Sequence, residues 1–197
     1  MGETLARSFD VMARADMEDA FAAMARQGER ARVLISNLLD LSNVEGGRAD
    51  FAIVGVEIGP LIDRVLEAAP PPDGNTVSVT VPGGLVVPAD PARLEQVVIN
   101  LLVNAYRYGG KEIRIDALDE GGRVVLTMAD DGGGVAPDLA STLFEPFTRG
   151  RDANVVRGSG IGLALCRRIV QRMDGEIWYQ ASSPRGACFR VSMRREQ

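Results

Sequence analysis

Asn100 and Asn104 stand one helical turn apart in an otherwise apolar run, RLEQVVINLLVNAYRYG (residues 93–109). Arg107 and Tyr108 follow one turn later on the same side. Nearly every other residue from 97 to 105 is apolar, which predicts a helix buried almost all round. Carboxamides placed there cost stability unless something satisfies them. Either neighbouring backbone takes their hydrogen bonds, or the stripe faces a cavity that holds a polar ligand. Three loops bear on that choice. Asp130-Asp131-Gly132-Gly133-Gly134 follows a predicted strand. Its glycines let the backbone approach a ligand closely, with Asp130 partly buried at the strand end, although an Asp-Gly loop alone is usually a turn. Phe144-Glu145-Pro146-Phe147 by itself reads as a packed loop. Gly158-Ser159-Gly160-Ile161-Gly162-Leu163 opens a predicted helix, where bare N–H groups form an anion site and the glycines clear space for phosphate. The polar, Arg-bearing residues 148–157 between them read as a mobile lid.

Common phosphate loops do not account for these segments. GxxxxGK[ST] is absent, so there is no Walker-type loop. Neither glycine cluster satisfies GxGxxG, because Leu163 falls where the third glycine should be. A protein-kinase fold lacks its HRD and DFG sequences.

The elements that must position these residues can be read in order. Residues 3–14 read as a short helix and 16–45 as a longer one, opened by an Asp16-x-x-Asp19 pattern that only loosely resembles a capping box. Met17, Met24, Ala31 and Leu38 repeat every seven residues, with Phe21, Gly28, Ile35 and Ser42 at a four-residue offset. This heptad seam suits dimerisation into a four-helix bundle; packing against the rest of the chain is the alternative. Gly46-Gly47 ends the helix. A strand over 51–58 precedes a helix whose first turn holds Pro60 and which runs to about residue 69. Strands are predicted at 77–81 and 85–87, then the Asn helix with Asp90 as N-cap and Pro91 at its first position. Residues 111–118 and 123–129 alternate around Asp119-Glu120-Gly121-Gly122, a hairpin signal. A helix over 160–173 and a strand pair, 176–181 with 187–193, close the chain. The class is α+β: a two-layer α/β sandwich, one mixed sheet covered by helices on one face, preceded by a helical hairpin. The domains are residues 1–47 and 48–197.

Composition sets outer bounds. A chain of 197 residues has room for one ordinary domain and a smaller element. The net charge of −5 and the lack of a basic run argue against a nucleic-acid partner. Cys166 and Cys188 have no metal-ligand spacing and read as free thiols. No apolar run is long enough to span a membrane, which gives a cytoplasmic reading, including that of the cytoplasmic part of an inner-membrane sensor. The chain contains no histidine.

The order of the segments resembles the catalytic, ATP-binding domain of bacterial sensor histidine kinases, in the GHKL superfamily that also holds gyrase, mismatch-repair and chaperone ATPases. NLLVNAYRYG resembles the family's N box, DDGGG its first glycine box, FEPF its F box and GSGIGLAL its second glycine box. ARVLISNLLDLSNVEGGR resembles the end of the second dimerisation helix. The resemblance covers nearly the whole chain and implies the GHKL (Bergerat) fold, with ATP and Mg2+ as ligands. It implies that Asp130 accepts from the adenine amino group, a charged acceptor worth ~1.5–3 kcal/mol, roughly ten- to a hundredfold in affinity. Gly132 and Gly134 would let the backbone pass near the base. Asn104 would give its carbonyl oxygen to magnesium, and Asn100 would face the same region. Arg107, in a slot usually held by Lys, would meet phosphate, with Tyr108 packing near the nucleotide. Phe147 belongs to the implied ATP site through the F box. Gly158, Ser159, Gly160, Ile161, Gly162 and Leu163 would shape the phosphate end, and Arg149 would reach the γ-phosphate when the lid closes. The catalytic group implied is thus Asn100, Asn104, Arg107 and Arg149.

Related hydrolases and serine kinases carry a Glu four residues before the metal-binding Asn, where this chain has Asn100. The resemblance therefore favours transfer to histidine over hydrolysis, and Glu95 lies on another face of the helix. The family's acceptor histidine sits in a sequence like HELRTP, which is absent here. The chain is expected to be a fragment cut after the acceptor, or a subunit acting on a separate histidine protein, with a response regulator downstream and a homodimer through residues 16–45. A nucleotide-binding scaffold and a GHKL serine kinase or ATPase are the alternatives.

Overall fold

The computed structural model describes residues 2–148, 160–182 and 185–196. α1 (Gly2–Glu45) is one continuous helix rather than the predicted hairpin. No Gly or Pro interrupts residues 3–27, and their Ala, Met, Arg and Glu are good helix formers. The Asp16-x-x-Asp19 pattern therefore lies inside a helix and starts none. Met17, Phe21, Met24, Ile35 and Leu38 of the predicted seam are all exposed.

The chain divides into Met1–Leu39 and Asp40–Gln197, a boundary earlier than the predicted one at residue 47. The reason is packing. Leu41, Val44 and Ala49 are buried within the second unit. Asp40 accepts from Arg93 at 3.1 Å and from Gln96 at 3.0 Å, and Glu45 accepts from Arg168 at 2.9 Å. Past Gly46-Gly47, the Arg172 guanidinium lies 5.3 Å from the Phe51 ring centroid. The last turn of α1 and the glycine pair are thus held by the second unit.

In that unit β1 (Val54–Glu57) pairs antiparallel with β3 (Val86–Ala89) as a separate two-stranded sheet, with α2 (Ile58–Ala68) directly after β1. Pro60 is the third residue of α2, so the strand is shorter than predicted and the helix begins earlier. β2 (Thr76–Thr80), β4 (Glu112–Asp119), β5 (Arg123–Asp130), β6 (Glu176–Ala181) and β7 (Ala187–Arg194) form a five-stranded sheet in the order β2-β4-β5-β7-β6. It is mixed, as predicted: β2 runs parallel to β4 and the other pairs are antiparallel. α3 (Pro91–Tyr108), the short α4 (Pro137–Ala140) and α5 (Gly162–Arg172) complete the fold.

The period-2 pattern of the strands decides which face is covered. Ile113, Ile115 and Ala117 of β4, Leu126 and Met128 of β5, and Val191 of β7 are buried together with Leu61, Ile62 and Val65 of α2, Val97, Val98 and Leu102 of α3, and Leu165 and Ile169 of α5. The opposite face carries polar pairs, such as Arg190 with Thr127 and with Glu120. One sheet face is packed by helices and the other is polar, which makes the two-layer sandwich.

Candidate nucleotide-binding site

α3 is fixed at both ends before any ligand is considered. The Asp90 carboxylate caps it, accepting the Arg93 N–H at 3.0 Å through Oδ1 and the Ala52 N–H at 2.9 Å through Oδ2. Pro91 occupies the first turn. Its apolar face (Leu94, Val97, Val98, Leu101, Leu102, Ala105) is buried. The Tyr106 hydroxyl donates to the Ala69 carbonyl at 3.0 Å, tying the helix to the end of α2, and burial pushes that phenol's pKa up. Glu95 faces Arg64 of α2 at 3.5 Å and so belongs to the α2–α3 contact.

That anchoring leaves the polar stripe to one side. Asn100 and Asn104 are half-buried, and Arg107 and Tyr108 are exposed at the helix end. Asn100 Nδ2 is buried without a hydrogen-bond partner among the described residues. Its carboxamide lies beside the Cys166 thiol, which burial pushes up to about 12 and whose Sγ–H points to the Val97 carbonyl at 3.8 Å. A side chain on Gly162 would place its Cβ 3.8 Å from Asn100 Oδ1, so the carboxamide faces the start of α5. An unpaired amide of this kind needs a polar partner that the described residues do not supply.

The floor of the site lies where β5 ends. Asp130 is only 9% exposed. Its Oδ1 accepts both the Gly132 N–H at 2.9 Å and the Ala187 N–H at 3.1 Å. Among the described residues both donors go to Oδ1, which leaves Oδ2 for a ligand's N–H. The exit of α3 lies directly against this carboxylate. A Cβ on Gly109 would be 2.7 Å from Asp130 Cβ, and one on Gly132 would be 2.7 Å from Gly109 Cα. Two backbones touch here with no side chain between them, so both positions require glycine.

The remaining predicted residues are placed as follows. Gly134 backs onto Gly186 of the β6–β7 hairpin, whose own Cβ would strike the Asp130 carbonyl oxygen. Phe144 packs edge-on against Phe189 at 6.4 Å between centroids, and Phe189 against Tyr179 at 5.8 Å, a cluster beneath the glycine loop. Phe147 is instead 64% exposed and held at φ 64°, with its N–H donating to the Gly160 carbonyl at 2.9 Å. The F box therefore packs one half-buried aromatic against the core and leaves the other at the surface. Ile161 is fully buried, and Leu163 packs on the core at the start of α5. Arg149, Gly158, Ser159 and lid residues 149–157 lie outside the described residues. The structure thus brings together Asn100, Gly162 and the start of α5 on one side, and Asp130, Gly132 and the α3 exit on the other.

Sequence reasoning missed Gly109, Gly186 and Ala187 as parts of the floor. The Gly109-Gly110 pair after a helix was a signal for close approach, whereas Gly186 lies between the two closing strands and carried no signal of its own. The donor set fits a nucleotide with its magnesium. One free carboxylate oxygen suits a base amino group, an unsatisfied carboxamide and carbonyl oxygens suit a hard cation and phosphate, and bare glycines leave room for both.

Comparison with known proteins identifies the family. Residues 89–197 match the family model described as histidine kinase-, DNA gyrase B-, and HSP90-like ATPase. Sensor protein KdpD of Escherichia coli (strain K12) is 34% identical over 81% of this chain, which covers 18% of KdpD. Adaptive-response sensory kinase SasA of Synechococcus elongatus is 32% identical over 95% of this chain, which covers 51% of SasA. The chain therefore spans about half or less of these relatives. The solved structure of Acinetobacter baumannii histidine kinase AdeS has the same fold, with a TM-score of 0.76 at 24% identity over 90% of this chain and 84% of that one. The chain therefore belongs to the family of histidine kinase-, DNA gyrase B- and HSP90-like ATPases, whose ATP-binding catalytic domain it shares.

Proposed function

We propose that this chain binds Mg-ATP and transfers its γ-phosphoryl group to a histidine on another segment of polypeptide, in two-component signalling. The observation that carries the reading is the state of Asp130: Oδ1 is saturated by two backbone N–H groups, so Oδ2, without a donor among the described residues, is oriented to accept from the adenine amino group. Guanine presents a carbonyl there, which would repel the carboxylate. Asn104 would supply a carboxamide oxygen to magnesium, and Asn100, whose Nδ2 has no partner among the described residues, would turn to the phosphate–metal region. Arg107 and Arg149 neutralise phosphate charge, with Tyr108 and Phe147 beside the nucleotide. Residues 158–163 shape the phosphate end. In the transfer the bond from the γ-phosphorus to the bridging oxygen breaks, ADP leaves, and an imidazole nitrogen gains the phosphoryl group.

Histidine is the acceptor because no carboxylate is poised to activate water or a hydroxyl on α3: Asn100 takes the relevant position, and Glu95 is engaged by Arg64. The sequence holds no histidine, so the acceptor lies elsewhere. A response regulator then receives the phosphoryl group. The exposed heptad seam of α1 supports a homodimer through residues 16–45. A cytoplasmic setting follows from the ATP requirement.

The test is incubation with γ-labelled ATP and a separate histidine-bearing helical hairpin from a sensor kinase. Label that is acid-labile and base-stable, and that vanishes with His→Gln in the hairpin or Asn104→Ala here, is expected. Acid-stable label, or sustained phosphate release by this chain alone, would overturn the histidine assignment.

A further inference from the structure

The Asp130 carboxylate reads a base only if it is held still, and besides the neighbouring Gly132 N–H two of its supports come from distant segments. Gly109, at the exit of α3, backs its side chain, and Ala187, in the β6–β7 hairpin, donates to Oδ1 at 3.1 Å. Asp131 grips both of those segments. Its Oδ1 accepts the Glu112 N–H at 2.9 Å, and its own N–H donates to the Glu112 carbonyl at 3.3 Å. Its Oδ2 faces the Arg185 guanidinium at 3.7 Å, next to Gly186 in the hairpin. The carboxylate also lies directly over Gly110, whose missing side chain leaves the space it fills. The Glu112 N–H bond holds the Asp131 carboxyl below its ordinary pKa, so it is charged at neutral pH.

We propose that Asp131 is a positioning residue for base recognition: without touching nucleotide, it clasps the α3 exit to the β6–β7 hairpin and so fixes the orientation of Asp130. This rests on the reading of Asp130 as the adenine acceptor. The fold itself does not depend on the clasp. Asn75 Nδ2 donates to the Gly110 carbonyl at 3.1 Å, and the Thr76 N–H donates to the Lys111 carbonyl at 2.8 Å, so β2 secures the same segment from its other side. Loss of Asp131 therefore loosens the aim of Asp130 while leaving the sheet paired.

The experiment measures Mg-ATP and Mg-GTP affinity for the full chain and for Asp131→Ala, Asp131→Asn and Gly110→Ala, with Asp130→Ala as reference and a thermal melt of each. Asp131→Ala is expected to weaken ATP by about tenfold and to narrow the ATP:GTP ratio, with little change in melting. Asp131→Asn, whose amide oxygen still accepts from Glu112 but which no longer pairs with Arg185, should recover only part of the loss. Gly110→Ala should displace the carboxylate and reproduce Asp131→Ala, and combining the two should cost no more than either alone. Unchanged affinity and selectivity in Asp131→Ala would overturn the proposal. So would a loss that tracks the melting temperature and is not rescued by Asn. If Asp130→Ala removes binding and Asp131→Ala does not, only the positioning role fails; if neither matters, the reading of Asp130 fails as well.

Discussion

In the second unit Leu61, Ile62, Val97 and Leu102 are fully buried, whereas along α1 Met17, Phe21, Met24, Ile35 and Leu38 stay open to solvent, Met24 at 68%. Both sets are apolar and periodic. The difference is that α2, α3 and α5 have a sheet to cover them, while residues 2–39 form one helix with no second layer of their own. The second unit closes its own core and can preorganise a site. The helix is stable only in so far as something else covers its seam. Periodicity states which face is apolar, and only packing states whether one chain suffices to bury it.

The contrast is broken or sharpened by substitution on each side. Leu102→Ala, in the packed layer, is expected to destabilise the second unit by about 2–5 kcal/mol. Phe21→Ser with Met24→Ser should leave that unit's melting unchanged and instead weaken self-association in sedimentation. Equal destabilisation by the two changes would mean that the seam is core after all. A much smaller effect is expected where the last turn of α1 meets α5. The Glu45–Arg168 pair is partly exposed, so Glu45→Gln should cost no more than about 1 kcal/mol and shrink further in high salt. A larger loss would mean that this ion pair, rather than buried Leu41 and Val44, holds the turn to the second unit.

Much of the catalytic unit was legible in the sequence because its signals are local. The Asp90-Pro91 start, the Asn spacing of α3 and the Asp119–Gly122 hairpin each declare themselves within a few residues. What was not legible depends on long-range packing. The continuity of α1 turned on helix propensity outweighing a loose capping pattern. The unit boundary turned on Leu41 and Val44 finding cover across the chain. Phe144 and Phe147 share one motif, yet one is half-buried and the other exposed, because only Phe144 meets Phe189. Likewise Gly109 and Gly186 look like punctuation until the fold sets each against Asp130. The second of the two N–H groups on Oδ1, on which the proposed base reading depends, comes from a β7 residue with no functional group of its own, Ala187.

The most direct measurement is calorimetric titration of the chain with Mg-ATP and Mg-GTP, beside Asp130→Ala. ATP should bind, GTP should not, and the substitution should cost roughly ten- to a hundredfold in ATP affinity, the worth of a hydrogen bond to a charged group. Equal binding of ATP and GTP, or ATP affinity untouched by Asp130→Ala in a protein shown by circular dichroism to be folded, would contradict the adenine-reading role of Asp130.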